Sequence, residues 1–362
     1  MQEEFLSRKL QERREQNAYR QLRLPDDRVD FYSNDYLGIV SNRLLPPPGS
    51  SYASGSTGSR LLAGNYPLIE ETEQELAAFH HAEAGLIFNS GYDANSGLLS
   101  CVAQRGDTIL YDSLSHASIR DGVRLSFAQA FSFLHNDTED LAKKLKMAVG
   151  NIFVVTESIF SMDGDQAPLK AIAALCEQYG AGLIVDEAHA TGVVGERGEG
   201  LVQQLGLERS CFARVHTFGK AVGCHGAFIA GSERLRNYLI NFSRPFIFST
   251  ALPEMAVHAI RESYRLFPGL EAARRQLQQL VQQWQQARLP YEVLISSTPI
   301  QGIIIPGNEA VKKMAARLHE QQLDVRPILY PTVPRGKERL RIILHAFNTP
   351  GQMEQLVKLL GS

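Results

Sequence analysis

The feature that most constrains this chain is a regular switching of hydrophobic period between residues 67 and 186. Short apolar runs alternate with longer stretches whose apolar positions recur every three to four residues. The spacing predicts helices over Pro67–His80, Tyr92–Gln104, His116–Leu125 and Pro168–Tyr179, and a further helix capped by Asp137 that runs to Ala148. It predicts strands over Ala84–Phe88, Thr108–Tyr111, Ala130–Leu134, Asn151–Thr156 and Leu183–Asp186. Strands and helices in this order build an α/β fold, with a mostly parallel sheet covered by helices on both faces.

The flanking segments read differently. Residues 3–20 form a polar helix with Phe5, Leu6, Leu10 and Tyr19 as a sparse apolar stripe. Leu44–Ser50 holds three successive prolines, which neither a helix nor a central strand tolerates. It closes an N-terminal arm, followed by the small-residue loop Ser54–Arg60. Beyond Val215 come a strand over Gly226–Ala230, a helix over Ser232–Phe242 and a Gln/Arg-rich helical region over about Pro253–Arg288. The end of the chain mixes strands (Tyr291–Leu294, Ile303–Ile305, Leu340–Leu344) with helices (Asn308–Gln321, Pro350–Leu360). The chain's 362 residues exceed the size, about 250–300, at which one core stops growing. The expected division is an arm over 1–48, a large domain over 49–250, and a smaller α+β domain over 251–362 that includes the long connecting helix.

Composition narrows the function. Lys and Arg number 37 against 39 Asp and Glu, so no global basic field attracts a nucleic acid. No segment approaches the roughly 20 apolar residues of a membrane span, and the N-terminus lacks the apolar run of a signal peptide. Cys101, Cys176, Cys211 and Cys224 form neither a CxxC pair nor a zinc-ligand spacing, so a reduced, cytoplasmic, metal-free protein is expected. Cys101 and Cys176 lie in apolar stretches and read as packing residues; His80–His81 lies in a polar helix and reads as surface.

In an open parallel sheet, ligands bind beyond the carboxyl ends of the strands. The residues that follow the predicted strands are Asn89–Tyr92, Asp112–His116, Glu157–Asp165, Asp186–His189 and His216–Lys220. One rim thus collects an Asp, His residues, hydroxyls and a Lys. The strand ending in Asp186-Glu187 resembles a nucleotide-hydrolase acidic strand. That reading needs a phosphate loop of the GxxxxGK type followed by Ser or Thr, and neither Gly219-Lys220 nor Gly336-Lys337 supplies one. Without that loop, Asp186 either caps the next turn or serves the rim's chemistry. Ser90 before Gly91-Tyr92 is a good helix cap, and a glycine there also lets an anion approach the free amides of the first turn. Lys220, on a rim with a carboxylate, hydroxyls and histidines, is either a solvated loop lysine or the covalent anchor of a pyridoxal phosphate enzyme. His116, at a helix start, is either structural or placed to stack on a flat cofactor.

Taken together and in order, several stretches resemble the α-oxoamine synthases, pyridoxal-phosphate enzymes of fold type I. They are Ser33–Gly38, Gly55–Arg60, Ser90–Tyr92, Ser115–Ser118, Thr156–Asp165, Asp186–Gly192, Thr217–Lys220 and Arg339–Ile342. The resemblance implies a large domain with a mostly parallel sheet and a smaller α+β domain. It implies that pyridoxal 5'-phosphate is held by Lys220, with Asp186 on the ring nitrogen, His189 and Ser161 near the phenolic edge, and His116 stacked on the ring. Ser90, Gly91, Tyr92 and Thr217 are then phosphate ligands, joined by Ser249 and Thr250 from a second subunit of a homodimer. Asn34 and Arg341 lie where the family grips the amino-acid carboxylate, and Ser59 lies near the thioester. The implied reaction is a decarboxylative condensation of an amino acid with an acyl thioester, carried on coenzyme A or a carrier protein. The closest pattern is that of the members joining L-alanine to a pimeloyl thioester; siblings take glycine or serine, and an aminotransferase on the same fold is the second alternative. Two departures are visible: Thr57 stands where this loop commonly has Gly, and Asn348 where many members have His.

Overall fold

The structure, a computed structural model, describes residues 3–47, 49 and 51–361. Pro48 and Ser50, in the proline-rich end of the expected arm, lie outside them. The elements run α1 (Glu4–Glu15), β1 (Val29–Asp30), α2 (Pro67–Phe79), β2 (Ala84–Phe88), α3 (Gly91–Val102), β3 (Thr108–Asp112), α4 (Ala117–Leu125) and β4 (Gln129–Phe133). Then follow α5 (Thr138–Leu145), β5 (Ile152–Glu157), α6 (Leu169–Tyr179), β6 (Gly182–Asp186), α7 (Leu201–Gln204), β7 (Cys211–Thr217), β8 (Ala227–Gly231), α8 (Glu233–Phe242), α9 (Arg244–Ile247) and α10 (Glu254–Leu266). The chain ends with α11 (Glu271–Gln286), β9 (Glu292–Val293), β10 (Ile300–Ile304), α12 (Asn308–Glu320), β11 (Leu323–Asp324), β12 (Arg326–Ile328), β13 (Arg339–Ile343) and α13 (Pro350–Leu360). Two compact units result. One gathers residues 1–36, 162–165 and 275–362; the other gathers 37–161 and 166–274.

The second, larger unit is built on a seven-stranded sheet of order β2-β8-β7-β6-β5-β3-β4. The neighbours from β7 through β4 run parallel, while β8 is antiparallel to both β2 and β7. β5 and β6 are buried almost throughout, which is why they read as unbroken apolar runs. Because parallel strands share a direction, Asp112, Glu157, Asp186 and Thr217 end on one rim. Leu86, Leu98, Ile109, Val155, Ile184 and Val215 form the core beneath it.

Local chemistry sets the helix ends that matter to this rim. The Ser90 hydroxyl accepts the Asp93 amide and starts α3. Asp137 starts α5 by accepting the amides of Glu139 and Asp140. Gly180 stops α6 in the left-handed conformation, at φ 64°. α4 approaches α3 closely because residue 122 is glycine: a Cβ there would lie 2.9 Å from the Asn95 carbonyl.

The smaller unit carries an antiparallel sheet of order β12-β13-β10-β9 and a parallel pair of β1 with β11. Thr349 and Gln352 form a reciprocal capping box at the start of α13.

Four sequence expectations need correction. The region Pro253–Arg288 is two helices, broken by a 3-10 turn at Phe267–Gly269 where Pro268 has no amide to donate. The N-terminal helix stops at Glu15 and leaves Phe5, Leu6 and Leu10 exposed. The helix capped by Asp137 ends at Leu145. His80 is fully buried, whereas His81 is exposed and turns the chain at φ 48°. Cys101 and Cys176 are buried, as expected. Among the described residues no helix is long and apolar enough to cross a membrane.

Candidate active site

In the parallel register of β5 and β6, Glu157 lies opposite Asp186. Asp186 is nearly buried, and its carboxylate orientation is fixed by two donors. Asn95 Nδ2 reaches Oδ2 at 2.7 Å, and the Ala188 amide reaches Oδ1 at 2.9 Å. Asn95, inside α3, donates its other amide proton to Ser118 Oγ at 3.0 Å. Ser118 Oγ lies 2.8 Å from His116 Nδ1, and the Ser118 amide donates to the same nitrogen. Because Nδ1 accepts the Ser118 amide it carries no proton, so the Ser118 hydroxyl donates to it and the imidazole proton lies on Nε2. A directed chain thus links Asp186, Asn95, Ser118 and His116.

His116 caps α4, and its ring is open to solvent on the rim. Desolvation holds it below the ordinary histidine value; Asp186 acts against this shift and Lys220 adds to it. A neutral imidazole with an open face can stack on a flat ring. Glu157 accepts the His116 amide at 2.6 Å. Burial, followed by the Asp186 charge, pushes the Glu157 carboxyl up to about 8.

The other end of the rim suits an anion. Gly91 and Tyr92 occupy the first turn of α3, where amides have no intrahelical acceptor and the helix dipole is positive. A Cβ on Gly91 would lie 2.5 Å from Thr217 Cγ2, so only glycine lets β7 approach this turn. The Thr217 hydroxyl is buried and has no hydrogen-bond partner among the described residues. A buried hydroxyl left unpaired is costly, so its presence here fits a phosphate ligand. Tyr92 contributes its amide to the turn, because its hydroxyl is bonded to Asp121. Lys220 lies in the turn after β7, half-buried, with the Gly223 amide on its carbonyl at 2.8 Å. The anion cradle, the oriented carboxylate, the open imidazole and the lysine match pyridoxal phosphate group by group.

The remaining expected residues fall as follows. His189 is nearly buried in the turn after β6, and Ser161 is half-buried in the segment after β5. The Thr250 carbonyl accepts Asn89 Nδ2 at 2.8 Å, which puts Ser249 and Thr250 beside the residue preceding Ser90. The Ser56 hydroxyl donates to the Ala251 carbonyl at 2.6 Å, and the Ala251 amide donates to Gly58. The loop bearing Ser59 is therefore tied to the same segment. Arg60 anchors this loop from below through a buried two-point pair with Glu73, at 2.7 and 3.2 Å. Thr57 takes the left-handed conformation at φ 56°, which explains why glycine is common there.

In the smaller unit, Arg341 Nη2 donates to Asn34 Oδ1 at 3.1 Å, and the Tyr36 hydroxyl donates to the same oxygen at 3.3 Å. Two residues 307 positions apart in sequence are thus brought together. Burial holds the Arg341 guanidinium below the ordinary arginine value. Asn348 is structural: its side chain accepts the His345 amide and donates to the Asp30 carbonyl.

The sequence pattern assigns no role to Asn95, Ser118 or Glu157, although Glu157 lies within the segment Thr156–Asp165 and Ser118 within Ser115–Ser118. The signal for Asn95 was a polar side chain at a helix position four residues after Gly91, where α3 faces the sheet.

Comparison with known proteins agrees with this geometry. The family described as Aminotransferase class I and II matches residues 26–360. An 8-amino-7-oxononanoate synthase from Emericella nidulans is 41% identical over 94% of this chain and 90% of its own length. A variant serine palmitoyltransferase from S. paucimobilis with PLP bound superposes with a TM-score of 0.87 at 27% identity, covering 99% of this chain and 96% of that one. An 8-amino-7-oxononanoate synthase from Francisella tularensis superposes with a TM-score of 0.78 at 28% identity, covering 93% and 98%. The chain belongs to the aminotransferase class I and II family, and within it to the α-oxoamine synthases.

Proposed function

We propose that the protein catalyses the decarboxylative condensation of L-alanine with a pimeloyl thioester, the reaction of an 8-amino-7-oxononanoate synthase. The observation that carries this reading is the hydrogen-bonded chain from Asp186 through Asn95 and Ser118 to an open His116, ending on the same rim as Lys220 and the unpaired Thr217 hydroxyl. The similarity to the Emericella enzyme over nearly the whole chain supports the choice of substrates.

Pyridoxal phosphate, when bound, supplies an electron sink for the negative charge that develops at the amino acid's α-carbon. The protein's residues do the rest. The Thr217 hydroxyl and the amides of Gly91 and Tyr92 would hold the phosphate. Asp186, fixed by two donors, would keep a proton on the ring nitrogen. His116 would cover the ring face, and His189 and Ser161 would serve the phenolic edge. Arg341, oriented by Asn34, is a cation suited to a substrate carboxylate. Lys220 would hold the cofactor covalently, and its Nζ, as a free amine, would take the α-proton of the bound amino acid and return a proton to the same carbon. Overall, a bond forms between the amino acid's α-carbon and the acyl carbonyl carbon, the thiol is released, and the carboxyl group is lost as carbon dioxide with a proton taking its place. A homodimer, with Ser249 and Thr250 of one subunit serving the other's phosphate, is part of this proposal.

The test is thiol release from pimeloyl-CoA by the cofactor-loaded protein. Release that requires L-alanine, and that glycine and serine do not match, supports the reading. Equal release with glycine or serine moves the assignment to a sibling synthase. Amino-group exchange with a keto acid, without thiol release, moves it to an aminotransferase.

A further inference from the structure

Glu157 is 2% exposed and ends β5 directly beside Asp186. Two carboxyl groups buried side by side are expensive unless one is neutral or both are strongly paired. Asp186 has two donors, whereas the hydrogen bond seen at Glu157 comes from the main chain of His116 at 2.6 Å. That amide belongs to the residue capping α4, a position at which the helix itself offers no acceptor. His116 is thus fixed twice. Its ring nitrogen is held through Ser118 and Asn95 to Asp186, and its backbone is held by Glu157.

We propose that Glu157 is a positioning residue that acts through His116: it clamps the start of α4 so that the imidazole stands over the rim, ready to cover the cofactor ring. This rests on the cofactor reading given above. The groups facing Glu157 are Asp186 on β6, Asp112 on β3, His116 at α4 and Lys220 after β7. With its carboxyl pushed up to about 8, Glu157 keeps its proton near neutral pH and adds no second negative charge beside Asp186. The clamp therefore needs an oxygen at this position and not a charge.

The experiment measures the dissociation constant of pyridoxal phosphate by absorption titration, and the visible circular dichroism of the bound cofactor, in the parent and five variants: three at Glu157, His116→Ala, and His116→Ala combined with Glu157→Ala. Glu157→Gln keeps the acceptor oxygen and is expected to bind within about twofold of the parent. Glu157→Ala removes the acceptor and is expected to weaken binding about tenfold. Glu157→Asp, too short to reach the amide, behaves like Ala and serves in its place should the Ala protein not fold. In a His116→Ala background the Glu157→Ala change should cost nothing further, because the residue through which it acts is gone. An equal loss in both backgrounds would mean a merely structural role and overturns the proposal. So does a Gln variant as weak as Ala, or an Ala variant as tight as the parent. A parent protein that binds no cofactor overturns the cofactor reading itself, a result distinct from failure of the clamp.

Discussion

His80 and His216 stack inside the larger unit with ring centroids 3.6 Å apart. His80 Nε2 bonds the Tyr264 hydroxyl at 2.9 Å, and His216 Nδ1 bonds Thr191 Oγ1 at 2.9 Å. Burial drives both histidines well below the ordinary histidine value of about 6.5, and the Arg214 guanidinium in the same wall pushes in the same direction. Both rings are therefore neutral in the folded protein. Below pH 6.5 the unfolded chain takes up two protons that the folded chain refuses, so stability from this pair is present above that pH and is lost as pH falls through it. Each histidine contributes a limiting slope of about 1.4 kcal/mol per pH unit, and the pair about 4 kcal/mol between pH 7.5 and 5. Glu187, pushed up to about 7 by burial, and Glu157, at about 8, act oppositely. Their stability is greatest below 4.5 and is lost as pH rises through those folded values, so they flatten the parent's curve in this window. The difference between parent and variant isolates the histidines. The double variant His80→Gln, His216→Asn places non-titrating amides where the two hydrogen bonds are made. Urea unfolding of both proteins, stripped of cofactor and followed by far-ultraviolet circular dichroism from pH 5 to 7.5, should show the variant gaining on the parent by about 4 kcal/mol as pH falls. A gap that does not change with pH would refute the argument that the stack is neutral.

Three further predictions follow from the site. Lys220→Ala should abolish turnover and the visible absorption of the covalently held cofactor, which a spectrum and a thiol assay read directly. Thr217→Val keeps the packing against Gly91 but removes the hydroxyl that has no protein partner. Apo stability should hold or rise while cofactor affinity falls by about 1–2 kcal/mol, as read by paired thermal and binding titrations. Arg60→Met leaves Glu73 buried with one of its two arginines gone, Arg236 remaining at 3.3 Å. Loss of about 3–5 kcal/mol in urea unfolding is expected, with the Ser59 loop the first region to exchange amide protons.

The architecture was legible because the sheet is parallel and deeply buried. Val154–Thr156 and Leu183–Val185 can only be interior strands, and Ser90 and Asp137 announce their helices by side-chain chemistry. The strand ends alone place Asp186, Thr217 and His116 on the rim. What stayed hidden depends on contacts distant in sequence. Nothing local to His80 signals that His216 will stack on it and Tyr264 will bond it; a histidine beside an exposed histidine in a Glu-rich helix resembles surface. Asn95 shows its role only once Asp186, 91 positions away, is brought against α3. The short strands β11 and β12 flank Val325 and include Pro327, so neither has the length that makes a strand visible. The break at Pro268-Gly269 is locally encoded, and the helical patterns on either side, Gln-rich only in α11, mask it.

The proposed reaction joins an amino acid to an acyl thioester at one active site, with loss of the amino acid's carboxyl group. To test it, the cofactor-loaded protein is supplied with pimeloyl-CoA and L-alanine labelled at the carboxyl carbon, and labelled carbon dioxide is counted against free thiol. Equal amounts of both are expected, each dependent on both substrates. Thiol released with the label retained in the product, or labelled carbon dioxide evolved without thiol, would contradict it.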